Sequence, residues 1–160
     1  MPSRPSLPAA GVTPVAKPEI NLNALGMGFG KETEFLTVAR SFEDLGVTAL
    51  AGAAQVQRVS SSSFIGTLAR LIGTEAEHAG NIRLQIARLG IQLKPLDGVD
   101  ILPPPASGGT LFSVDSNGLT AVRTPGQILF VAYGMQANVN AGGFFPMGVN
   151  GSINMSSDAV

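Results

Sequence analysis

At 160 residues, with 44% hydrophobic and only 13% charged side chains, the chain is long enough for one domain with a core, flanked by tails. A formal charge of -1 without any basic cluster leaves nothing to attract a phosphate backbone, so nucleic-acid binding has no electrostatic support. The lack of cysteine excludes disulfides, thiolate metal sites and thiol nucleophiles, and no stretch reaches the ~18 apolar residues of a membrane span.

Residues 1–30 carry Pro2, Pro5, Pro8, Pro14 and Pro18, then Gly26, Gly28 and Gly30. This composition resists helix and strand interiors, so an extended or disordered arm is expected. The prolines also interrupt the apolar core that a signal peptide needs, and the chain as written reads as cytoplasmic.

Residues 31–90 should form an antiparallel helical hairpin. The first helix is expected from Lys31, with Glu32 and Glu34 in the first turn, where the helix dipole favours acids. Leu36, Ala39, Glu43, Val47 and Leu50 recur at steps of three and four, which sets the Glu43 carboxylate in an apolar row. Asp44 follows Arg40 by four residues on a neighbouring face, the spacing of an ordinary surface ion pair. Gly46, Ala49 and Ala51 to Ala54, with Gly52 among them, are small enough to let another helix approach closely. A short polar connection around Gln57 to Ser60 leads to the serines Ser60 to Ser63, which are N-cap candidates for a second helix ending at Leu89 before Gly90.

In that second helix Leu68, Leu71, Ile72, Ala79, Ile82 and Ile86 form one apolar stripe, and Glu75 and His78 lie on it. A Glu and a His three apart usually face water, but here their apolar neighbours aim them at a core. Glu-x-x-His directed into a bundle offers a carboxylate oxygen and a ring nitrogen to one metal ion. Glu77 points away from the stripe and reads as a solvated charge. His78 is the only histidine, so a second imidazole ligand would have to come from another chain.

Residues 91–160 are expected to hold a long loop, a short helix and a tail. The loop, residues 91–123, contains Pro103-Pro104-Pro105 and Gly108-Gly109, with a short extended piece around Thr110 to Val114. Thr124-Pro125-Gly126-Gln127 combines an N-cap threonine, a proline at the first helical position and a glutamine three residues after the cap, which predicts a third helix over Ile128 to Met135. Phe144 and Phe145 in the tail should dock on the helices.

Three segments taken together carry a resemblance: Phe42 to Ala49 (FEDLGVTA), Glu75 to Arg83 (EAEHAGNIR), and Gly142 to Pro146 (GGFFP) with Gly148 to Gly151 (GVNG). In order and spacing they resemble the ferritin-like domain proteins that include the desiccation-related proteins of plants and bacteria. The resemblance runs from about Ala16 to Gly151. It implies an all-α fold, the second half of a four-helix bundle in which two helices each give a Glu and two each give Glu-x-x-His to a paired metal site. The segment Val15 to Leu22 resembles the stretch that comes after the family's first helix pair, so that pair is not represented. By the resemblance Glu43 matches the lone glutamate of the third family helix, and Glu75 with His78 matches the Glu-x-x-His of the fourth. Export is common in the family.

Two functions are consistent with this. One is a carboxylate and histidine metal protein, with Glu43, Glu75 and His78 as ligands to iron or manganese. The other is a structural or stress-associated helical protein that binds no metal. Each helix of a lone hairpin leaves apolar surface uncovered, so a homo-oligomer is expected, and a two-fold dimer would restore a full ligand set.

Overall fold

The structure, a computed structural model, describes residues 15–24, 26, 29–56 and 60–158. Among the described residues the fold is all-α, with three helices and no strand: α1 (Glu32–Ala54), α2 (Ile65–Leu89) and α3 (Pro125–Ala132). The first fourteen residues of the expected arm, and residues 57–59 of the expected connection, lie outside the described residues.

The two long helices pack side by side as the sequence predicts. Glu43 of α1 meets His78 of α2, while Gly46, three residues further along α1, meets Glu75, three residues back along α2. Partners that advance on one helix and retreat on the other make the pair antiparallel. Leu36 and Val47 of α1, and Leu68, Ala79 and Ile86 of α2, form the buried seam. Leu71 is 45% exposed although it shares the α2 stripe. It lies two turns before His78 on the flank of the seam, where no described element covers it.

α2 begins later than the serine run suggests. Its N-cap is Phe64, without a side-chain cap. Ser62 instead accepts a hydrogen bond at 3.2 Å from the Phe64 N–H, closing a turn that precedes the helix. At the other end Gly90 adopts φ 64°, and the N–H groups of Ile91 and Gly90 reach back to the carbonyls of Ile86 and Ala87. This double closure satisfies two end carbonyls and needs the left-handed glycine.

α3 starts where its capping signal places it: Thr124 accepts from the Gln127 N–H, and the Gln127 side chain accepts from the Thr124 N–H. It ends at Ala132, short of the expected Met135, because Gly134 at φ 78° turns the chain and Met135 N–H bonds back to the Phe130 carbonyl. Tyr133, fully buried, donates its hydroxyl to the Asn154 carbonyl and accepts from the Val149 N–H. Phe144 packs on Phe42 with ring centroids 4.9 Å apart, and Phe145 meets Tyr133 edge-on. The arm is tied to this tail, with Asn21 N–H on the Phe144 carbonyl and the Asn150 amide on the Ala16 carbonyl.

The short piece around Thr110 to Val114 builds no strand, and an isolated bridge joins Val114 to Thr120. One expectation on α1 is corrected. Asp44 and Arg40 do pair, but the pair is buried, with about 2% or less of either side chain exposed. Asp44 also holds Arg83 at 2.7 Å, and Arg40 reaches Asp100. Arg83 donates to the carbonyls of Ile101, Thr110 and Leu111, and Arg123 clamps Asp97 with two nitrogens at 2.6 and 2.7 Å while its third donates to Thr48 Oγ1. Three guanidiniums and three carboxylates thus balance in the interior and fasten the loop to the hairpin. A chain poor in charge has placed much of that charge where charges are most costly to bury.

Candidate metal centre

Glu43, Glu75 and His78 each offer one donor atom, and those three atoms all lie within 4.8 Å of one another. Helix periodicity explains the convergence. Glu75 and His78 stand one turn apart on α2, and Glu43 projects from the α1 row that faces them. His78 Nδ1 lies 3.3 Å from Glu43 Oε2. The two atoms are close but not aligned as a hydrogen bond, and the buried Glu43 Oε2 makes no hydrogen bond.

The site sits at a boundary between core and solvent. The His78 side chain is 57% exposed, that of Glu43 is 27% exposed, and Glu75 is half-buried. Burial raises the Glu43 pKa above the ordinary carboxylate value, the facing Glu75 carboxyl adds to the rise, and His78 opposes it. Glu43 therefore holds a proton more readily than a solvated glutamate, and a cation placed among the three donors would replace that proton.

Gly46 completes the geometry. A Cβ at this position would lie 3.0 Å from Glu75 Oε2, so the absence of a side chain lets the carboxylate reach the α1 surface. The sequence shows Gly46 only as a small residue suited to helix packing. Glu77 is exposed and outside the group, and Asp44 turns into the arginine network.

The arrangement fits a first-row divalent ion by its donor chemistry: two carboxylate oxygens and one imidazole nitrogen on two packed helices, one buried oxygen making no hydrogen bond.

The arginine network was the part missed from the sequence. A signal for it was present, since Arg83 stands four residues after Ala79 and three before Ile86, on the same inward stripe as Glu75. Among the described residues no helix is long and apolar enough to cross a membrane.

No curated protein and no solved structure matches the chain. The sequence model of the ferritin-like domain family matches residues 6–88, just over half of the chain and the part that contains all three donors. Fold and match agree: the chain belongs to the ferritin-like domain family.

Proposed function

We propose that Glu43, Glu75 and His78 bind iron or manganese, and that the chain is a ferritin-like protein carrying a partial carboxylate and histidine site. The observation that carries this reading is the three-donor cluster, in which a buried oxygen of Glu43 makes no hydrogen bond. Glu43 and Glu75 supply hard oxygen ligands and His78 a borderline nitrogen, a set suited to either metal. Such an ion would supply redox chemistry. The residues themselves fix its position, because all three stand on long helices locked to each other by the seam.

A second copy of the chain would complete the site. Leu71, 45% exposed, flanks the donors on the uncovered side of the hairpin, so burying that side against its two-fold mate removes apolar surface and brings two further carboxylates and a further imidazole to the site, four carboxylates and two imidazoles in all. Sedimentation at micromolar concentration should show a dimer, and metal uptake should follow the dimer fraction on dilution. A monomer that binds metal to the same extent at every concentration would remove the second copy from this account.

A second reading is a metal-free structural protein associated with desiccation or other stress, akin to the desiccation-related proteins that the motifs resemble. It is favoured by the raised pKa of Glu43, since a proton there relieves the clustered carboxylates without any metal. Metal analysis of protein purified without chelator separates the two. Stoichiometric iron or manganese that is lost in Glu75→Ala supports the first reading, and metal-free protein that takes up neither ion supports the second.

A further inference from the structure

A cavity of about 660 Å³ opens on the side of α1 away from the metal-site donors, and neither Glu43, Glu75 nor His78 lines it. It is bounded by the first turns of α1, the segment Ile91 to Leu96 that comes after α2, the end of α3, and Phe144. Its size lies within the range of about 300–1,000 Å³ found for small-molecule sites.

The walls are less polar than their residue types suggest. Thr37 donates its hydroxyl to the Thr33 carbonyl at 2.8 Å, and Ser41 donates to the Thr37 carbonyl at 3.1 Å. Both hydroxyl protons are turned onto the helix, which leaves methyl and methylene groups toward the space. Facing them are Leu93, Val131, Met135 and Phe144. Arg40 closes the interior end, but Asp44 and Asp100 already neutralise it, so it offers no free charge. Glu34 at the wall is paired with Lys31 at 2.9 Å.

Lys94 is the exception. It lines the cavity, it is exposed, and it has no ion-pair partner among the described residues. An apolar space with one unpaired cation at its rim is complementary to a molecule with an apolar tail and an anionic head. We propose that this cavity binds a single-chain fatty acid, its alkyl chain between α1 and α3 and its carboxylate at Lys94. The chain gains by leaving water, and the head remains at the surface where Lys94 can meet it without burying either charge.

Calorimetric titration of the full chain with decanoate, decanol and acetate tests this. Decanoate should bind, decanol should bind about two- to fivefold more weakly, the size of an exposed ion pair, and acetate should not bind. Lys94→Ala should abolish the difference between decanoate and decanol. Ser41→Leu, which fills the space, should weaken both by about tenfold, the worth of two chain methylenes. If that variant fails to fold by circular dichroism, the Lys94→Ala comparison decides alone. No decanoate binding, equal binding of decanoate and decanol to the native chain, or unchanged binding to folded Ser41→Leu would overturn the proposal.

Discussion

Glu43 and Asp44 are neighbours in the chain, yet their carboxylates serve opposite walls of the hairpin: Glu43 meets His78 on the open side, and Asp44 meets Arg40 and Arg83 on the side closed by the loop. Successive residues on a helix diverge by about 100°, which is enough to send one acid toward a candidate metal and the other into a structural network. The two acids should therefore respond oppositely to loss of charge.

Asp44→Asn removes the carboxylate shared by two buried guanidiniums and leaves an unbalanced positive charge in the interior. Urea denaturation should show a loss of about 3–5 kcal/mol. Glu43→Gln, measured in the same way with chelator present, should leave stability equal or higher, because it removes a half-buried carboxylate that faces another.

The pH dependence of the metal-free protein should separate Glu43 from other carboxylates. Its raised pKa means that the folded state binds the proton more tightly than the unfolded chain, so stability falls as pH rises from the unfolded value of about 4.3 through the higher folded value. Below that window the Glu43 contribution no longer destabilises. Melting curves in chelator should fall less steeply across the window in Glu43→Gln than in the native chain, while the contribution of Asp44, also raised by burial, cancels in the comparison.

Much of the candidate site could be read from spacing. Glu43, Glu75 and His78 interrupt apolar rows at helical intervals, and helix geometry turns those intervals directly into facing side chains. Gly90 and the Thr124 to Gln127 box were legible for the same reason, since their partners lie within one turn. The network was not, because Asp97, Asp100 and Arg123 meet α1 only after the loop has returned, with Arg40 and Asp100 sixty residues apart in sequence. An Arg and an Asp four apart look alike on a buried face and on an exposed one. Only the apolar company of Arg83, between Ala79 and Ile86, distinguishes the two cases.

Two glycines of α1 should give opposite results when changed to alanine. At Gly46 the new methyl meets the flexible end of Glu75, so Gly46→Ala should displace that carboxylate and weaken iron or manganese binding, while the better helix former adds up to about 1 kcal/mol to the metal-free fold. At Gly52 the methyl would lie 2.1 Å from the Arg123 carbonyl, which belongs to the backbone and cannot swing aside. Gly52→Ala should cost about 1–3 kcal/mol in denaturant titration despite its helix propensity.

Binding of iron or manganese should raise the melting temperature of the native chain by mass action, by about 2.7 kcal/mol of added stability at a hundredfold excess over the dissociation constant. Glu75→Ala and Glu43→Gln should lose this rise, and Glu77→Gln should keep it. A rise that survives Glu75→Ala would place the metal elsewhere.

The loop held by Arg83 has a consequence for how the protein meets a protease. Its Pro103-Pro104-Pro105 and Gly108-Gly109 stretches have the composition of a linker, where nicking is ordinarily easiest. Arg83 grips the carbonyl of Ile101 before them and those of Thr110 and Leu111 after them, so one guanidinium closes the stretch into a ring. A protease needs several residues of extended backbone, and that length becomes free only when Arg83 lets go. Because Arg83 is also held by Asp44 of α1, the ring is anchored to the helical core. Cleavage in this loop therefore requires that the carbonyls first leave Arg83, and its rate at low protease concentration measures the free energy of that opening.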